Sequence, residues 1–354
     1  MTLHAELANH FAEASDSSDF ATGLSLLEHQ GLISVTGGDA DKFLQGQVTC
    51  DLRELDQAHS SLGARCNPKG RMQSSFRIWR TADGMLLSLA RELVAPQLAD
   101  LGKYAALYRQ CQLADQSDNW AGFGLWGEQA EQALTAAGFQ PPAEDNGVNR
   151  AGDRIALRLP GAAYVIWTPI AEAKELLQTL TDHASLVSAN QWQLRQIQSG
   201  IGQVTGPTLE TFIPQMLNLQ HLGGVSFRKG CYTGQEIVAR MQYLGKLKRR
   251  MYRLLMAGDA PPKPGTEVVD RDSGKAVGEV VIAARGHKAV ELLAVLQKDA
   301  AQLETLSLGA TDGPLLTLSE LPYEQTLAAA EAECASQHEG RVRCGRCNTK
   351  QRKR

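Results

Sequence analysis

The stretch RKGCYTGQEIVAR, from Arg228 to Arg240, decides how this chain is read. Cys231 stands between a lysine–glycine pair and a segment with the marks of a helix start. Thr233 and Glu236 have capping-box spacing, and Ile237, Val238, Met241 and Leu244 follow at helical intervals. A cysteine just ahead of a helix N-terminus meets free backbone N–H groups and the positive end of the helix dipole. Arg228 and Lys229 add cationic charge nearby. These features favour negative charge on sulfur, and hence a reactive or ligand-forming Cys231 with Lys229 as its modulator. The competing reading is a small buried hydrophobe, the common fate of a free cysteine.

Working outward, residues 201–227 hold several glycines and prolines and little periodicity, and long irregular stretches inside compact proteins are often functional. QWQLRQIQSG (191–200) reads as a helix closed by glycine. Further upstream, LISV (32–35) reads as a strand and DADKFLQGQV (39–48) as a helix capped by Asp39. SSFRIWR and MLLSLA flank TADG as a hairpin. FGLW, EQAEQALTAAG, RIALRL, AAYVIW and TPIAEAKELLQTL then give the order strand, helix, strand, strand, helix. That order fits a ferredoxin-like α+β layer over about 120–185. After Arg250 short apolar segments alternate with turns, the pattern of a small β-barrel over 251–325. Residues 328–354 form a basic, cysteine-containing tail, expected to be disordered.

Composition sets the frame. The chain has 354 residues, a formal net charge of −3 and 43% hydrophobic content, enough for two or three ordinary cores. Its near-neutral balance points to no nucleic-acid or membrane partner for the body. The longest apolar runs fall far short of the roughly 18 residues that suggest a membrane span. The N-terminus lacks a basic region followed by an apolar run, so a cytoplasmic location is expected. Seven cysteines, thinly spread, predict reduced thiols and no disulfide framework.

KGCYTGQE closely resembles the defining motif of the YgfZ-type folate-binding proteins, relatives of the glycine-cleavage aminomethyltransferase. ISVTGGDADKFLQGQVTCDL, CNPKGRMQSSFRIWR, FIPQMLNLQHLGGVSFRKGCYTGQEIVAR and YLGKLKRR resemble blocks of that family in the same order. The resemblance implies an aminomethyltransferase-like fold over 20–250, α+β lobes around a central cavity, followed by the barrel. It implies a ligand, tetrahydrofolate or a one-carbon derivative. It implies support of iron–sulfur enzymes, among them radical enzymes that thiomethylate tRNA, with transient contact to an iron–sulfur cluster. The family's reactive cysteine falls on Cys231. Its pattern nominates Trp192, Arg195, Glu210, Asn218, Gln235 and Glu236 around the folate. Arg65, Lys69 and Arg71 are candidates for an anionic tail. Two departures stand out. Aminomethyltransferases carry a catalytic aspartate near Ser74 or Ser75, where this chain has hydroxyls, so aminomethyl transfer is not expected. Gln30 replaces an aromatic that some relatives offer.

The tail falls outside the resemblance. Its cations suit a solvated tail or an arm that contacts tRNA. Cys334, His338, Cys344 and Cys347 supply the ligand types of a zinc site.

Overall fold

A computed structural model describes residues 2–16, 20–243, 247–325 and 327; the basic tail, with Cys334, His338, Cys344 and Cys347, lies outside them. The described chain builds three sheets. The first is antiparallel, in the order Ser60–Cys66, Met72–Arg80, Gly84–Ala90, Gln30–Thr36 and Gln112–Asp115. TADG makes the expected tight connection between its second and third strands.

The second sheet runs Ser185–Leu186, Thr22–Leu26, Trp120–Gly127, Ala163–Pro169, Arg154–Leu159 and Val148–Ala151. Helices Ala130–Ala136 and Ala173–Thr181 cover its outer face, and the strand–helix–strand–strand–helix order is the ferredoxin-like one. The sheet departs from that pattern in two respects: Val148–Ala151 adds an edge strand beside Arg154–Leu159, and a second strand comes from far upstream. Thr22–Leu26 is inserted beside Trp120–Gly127, pairing antiparallel with it and parallel to Ser185–Leu186. The N-terminal segment thereby ties itself into a layer built about a hundred residues later.

The third sheet, Leu306–Leu308, Glu267–Asp270, Lys275–Arg285, Val290–Gln297, Arg249–Met256 and Leu316–Ser319, curls until its edges approach. A bridge between Ser307 and Leu315 joins them, which makes the expected barrel a partly closed one. One face encloses Leu254, Val268, Val280 and Leu292; from the other, Met251, Val281, Leu293 and Val295 join the core of the first sheet.

Strand alternation assigns the faces of the second sheet. Tyr164 and Ile166 point to the helices, whereas Ala163, Val165 and Trp167 point to the first sheet. From the first sheet Leu32, Trp79 and Leu86 meet them. Trp79 and Trp167 stack across the layer, with ring centroids 6.4 Å apart and planes 23° from parallel. Burying an indole of this kind contributes roughly 5 kcal/mol of gross transfer free energy, an upper figure before ordering entropy. Trp192, from helix Ala189–Gln198, packs on Trp126 at 5.6 Å and lies flat against Gly124.

Gly124 therefore has a packing reason: a Cβ there would overlap the Trp192 ring. Gly124→Ala is expected to displace Trp192 and to cost about 1–3 kcal/mol. Denaturant unfolding followed by tryptophan emission checks both effects; an unchanged midpoint and spectrum would contradict this packing.

Candidate functional site

The thiol sits on a platform of three loops. Asp39–Gln45 leads into the first, a turn over residues 45–50. The second is the turn over 66–71 between two strands of the first sheet. The third is the segment 224–238 that carries the cysteine motif. Ser226 N donates to Thr49 O (2.9 Å), Thr49 Oγ1 donates to Gly224 O (2.6 Å), and Thr233 N donates to Gly46 O (3.1 Å). Gly234 takes φ +83°, and its α-carbon faces Asn67, Cys66 and Gly70 so closely that a side chain has no room. The turn and the motif are thus pressed backbone to backbone.

Lys229 fixes this arrangement. It is 6% exposed, and its Nζ donates to the carbonyl oxygens of Gln45 (2.8 Å), Val48 (2.7 Å) and Cys50 (2.7 Å). Its ammonium also lies 5.2 Å from the ring centroid of Tyr232, which is buried. Burial, helped by the Arg53 charge, pulls the lysine down to about 8 against the opposing pull of Cys50 and Asp51. Three carbonyl acceptors around one ammonium further favour the charged form, and we take it as protonated at neutral pH. The expected modulator of the cysteine is thus a clamp on the loop beneath it, its three N–H donors committed to carbonyls.

Cys231 is exposed between this buried lysine and the buried tyrosine, with only Gly230 intervening. It contrasts with Cys50 and Cys66, whose thiols burial pushes up to about 11 and 12. The helix that follows runs Gln235–Tyr243. The expected capping box needs correction: Gly234 in the left-handed region separates Thr233 from the first helical residue, so Thr233 is not the cap. Gln235 N instead donates to Tyr232 O (3.1 Å), and Glu236 is exposed.

A cavity opens between the first two sheets. Leu157, Leu159, Val165, Trp167 and Trp192 make an apolar wall; Gln30, Ser75, Arg77, Ser88 and Gln203 make a polar one. Gln30 and Gln203 exchange amide hydrogen bonds of 2.8 and 3.0 Å. His29 Nδ1 and Trp167 Nε1 are buried without a partner. Cys231 is not part of the lining, so thiol and cavity are separate features of this structure.

Of the nominated folate contacts, Trp192 belongs to the cavity wall. Arg195, Glu210 and Asn218 do not. Arg195 donates to Gly161 O and holds the hairpin turn there. Glu210 is exposed and accepts from Gln73 Nε2 (3.1 Å). Asn218, fully buried with φ +57°, donates to Met251 O (3.1 Å) and ties the loop to the third sheet. Gln235 and Glu236 also lie off the cavity. Arg65 pairs with Asp100 and Arg71 donates to Thr211 O, whereas Lys69 is exposed. Ser74 Oγ donates to Gln97 Oε1 (3.2 Å), and Ser75 Oγ accepts from Val204 N (2.9 Å). No group of three or more metal-ligating side chains occurs among the described residues. Their helices include none long and apolar enough to cross a membrane.

Sequence reading missed the polar wall. The signal was present in SSFRIWR: alternation places Ser75, Arg77 and Trp79 on one face, and Trp79 marks that face as buried.

The two sheets, the cavity between them and the curled third sheet make an aminomethyltransferase-like α+β fold. It is shared with aminomethyltransferase T of the glycine cleavage system from Bartonella henselae, at a TM-score of 0.68 over 86% of each chain and 19% identity. No protein-family model matches. Two curated relatives are called tRNA-modifying protein YgfZ. That from Yersinia enterocolitica is 33% identical over 315 residues, which span 88% of this chain and 95% of the relative. That from Escherichia coli O157:H7 is 32% identical over 304 residues, 85% and 93% of the two chains. The chain belongs to the YgfZ family.

Two outcomes follow. Lys229→Met leaves three buried carbonyls without their donor and is expected to cost about 2–3 kcal/mol or more. Urea unfolding measures that cost. The alkylation rate of Cys231 should change in the same variant, and an unchanged midpoint together with an unchanged rate would rule out the clamp. His29 is held neutral by burial, which lowers it from 6.5 to about 4. Between those values the unfolded chain binds the extra proton, so its share of stability is complete above 6.5 and is lost as pH falls towards 4. His29→Gln should remove a slope of up to about 1.4 kcal/mol per pH unit in that window. Unfolding midpoints from pH 7 to pH 4 test it, and parallel curves for the two proteins would refute it.

Proposed function

We propose that this chain is a cytoplasmic, tetrahydrofolate-binding accessory protein that supports iron–sulfur enzymes, with Cys231 as its working thiol. Its clients in this reading include radical enzymes that thiomethylate tRNA, in keeping with the tRNA-modifying name of its relatives. The observation that carries the reading is the presentation of Cys231. An exposed thiol stands at the tip of a loop whose flanking residues are buried and whose backbone is clamped by Lys229. A merely packed cysteine needs no such support. A fixed, accessible sulfur suits transient ligation of a cluster iron or reversible reaction with a client's sulfur, because the loop holds its geometry through repeated encounters.

The cavity residues fit the heterocycle of a folate. One wall offers Trp192, Trp167 and aliphatic side chains to a flat ring, and the other offers a few placed polar groups, with His29 Nδ1 and Trp167 Nε1 still unpartnered. Trp192 supplies the stacking face in this reading. When bound, tetrahydrofolate or a one-carbon derivative would bring one-carbon chemistry to the cavity. The chain's own residues would bind it, orient it and exclude water. Ser74 and Ser75 supply hydroxyls already engaged in hydrogen bonds and no carboxylate, which weighs against a folate-dependent transferase or demethylase. The alternative of a tRNA-binding module rests on the basic tail, outside the described residues.

The deciding experiment uses a strain lacking the gene. Thiomethylated adenosine in its tRNA is measured by mass spectrometry after restoring wild type or Cys231→Ala. The modification is expected to fall in the deletion, to return with wild type and to stay low with Cys231→Ala. The purified variant should unfold within about 1 kcal/mol of wild type, as expected of an exposed side chain. Full rescue by Cys231→Ala would remove the thiol from the mechanism. Modification that never changes would remove the link to tRNA.

A further inference from the structure

The polar wall of the cavity carries one charge among its lining arginines and acids, and that charge has no counter-ion beside it. Arg77 is 8% exposed and lies on strand Met72–Arg80. It lines the cavity with Leu157, Val165 and Trp167. Its Nη1 donates to Ser60 Oγ (3.0 Å) and Asn146 Oδ1 (2.7 Å). Its Nε and Nη2 make no hydrogen bond among the described residues. The acid whose field reaches it, Asp145, is half exposed and lies 3.7 Å from Arg158 Nε. Burial pulls Arg77 down to about 10, which still leaves it charged at neutral pH.

Arg77 Nε and Nη2 are not among the fully buried unpartnered atoms, so the idle half of the planar fork keeps access to open space where an acceptor can complete it. The other polar groups of the lining do not: Ser88, Gln193 and Gln196 also face the cavity, but none bonds Arg77. Gln30 and Gln203 satisfy each other, and Ser75 Oγ is taken by Val204 N. The other unpartnered groups of the lining, Trp167 Nε1 and His29 Nδ1, offer a second donor and a neutral ring nitrogen. Two of the three Arg77 nitrogens are thus left without an oxygen acceptor among the described residues.

We infer that Arg77 is the specificity-determining residue of the cavity: its idle nitrogens donate to an oxygen acceptor of the bound folate. The inference rests on the folate-binding reading above. Such oxygens lie on both halves of a folate, the lactam on the pterin and the amide carbonyl and carboxylates on the p-aminobenzoylglutamate, and the carboxylates best match a guanidinium fork.

Calorimetry and tryptophan quenching with wild type, Arg77→Met and Arg77→Lys decide it. Three ligands are used: formyltetrahydrofolate, a tetrahydropterin without glutamate, and p-aminobenzoylglutamate. Arg77→Met should weaken formyltetrahydrofolate by about tenfold or more, the size of a hydrogen bond to a charged group. It should weaken one fragment by a similar factor and leave the other unchanged. Loss on the pterin fragment identifies the lactam; loss on the glutamate fragment places the acceptor on the p-aminobenzoylglutamate half. Arg77→Lys keeps the buried charge, loses the planar fork, and should also bind more weakly than wild type. Wild-type affinity in either variant overturns the inference, as does an equal fall for both fragments, the mark of a collapsed cavity. Wild type that binds none of the three ligands fails earlier and sinks the folate reading itself.

Discussion

The stacking of Trp79 on Trp167 across two sheets is the contact on which the remaining architecture depends. It fixes how closely the sheets approach at one end of their interface. Twisted sheets do not stay in register over their whole faces, so the spacing set by this pair leaves a gap beside it unless side chains fill it. Here the first sheet turns Ser75, Arg77 and Ser88 into that gap, and the second turns Leu157, Val165 and Trp167. Small hydroxyls and a tethered arginine cannot fill it as leucines would. The cavity is a consequence of which residues alternate onto one face of Met72–Arg80 and Gly84–Ala90.

The thiol depends on a different device. Lys229 removes an ammonium from water, which is expensive, and offsets that cost with three short hydrogen bonds to carbonyls at the end of a helix and its following turn. The same carbonyls would otherwise be buried acceptors without donors. Each side of the contact therefore solves the other's problem, and the loop between them is held without secondary structure of its own. Gly234 completes the seat by letting the 66–71 turn approach. An exposed cysteine on a loop this constrained is accessible without being floppy.

Local features of this fold were legible in the sequence and non-local ones were not. The hairpins at TADG and Pro160-Gly161 follow from turn chemistry within a few residues, and the ferredoxin-like order follows from hydrophobic periodicity. The insertion of Thr22–Leu26 beside Trp120–Gly127 has no local signal, because pairing partners a hundred residues apart leave no mark in either segment. The capping-box reading failed at one backbone angle: Gly234 adopts φ +83°, which a pattern of residue types does not reveal. Glu210 and Asn218 likewise take positive φ, which residue types do not reveal, and neither lines the cavity. Trp192 was legible because a tryptophan on an amphipathic helix has few places to go other than a core or a cavity wall.

Arg77 shows why a site is harder to read than a fold. An arginine in a strand is ordinarily assigned to solvent, since burial of its charge is unfavourable. The strand's own alternation contradicts that assignment here, because Trp79, two residues on, is fully buried. When a local propensity and a face assignment disagree, the conflict marks a position retained for something other than stability. In this chain that conflict falls where the cavity is polar, on the strand whose neighbouring hydroxyls, Ser74 and Ser75, carry no negative charge. Without a carboxylate there, the wall keeps a net positive character and offers no fixed anion to the cavity. In the proposed function, a cavity that holds the ligand and a thiol that stands apart from it would divide the work between two surfaces of one fold. The first sheet carries both the polar wall and the 66–71 turn that packs on Gly234 of the cysteine segment, and is the path by which a ligand in the cavity would reach Cys231.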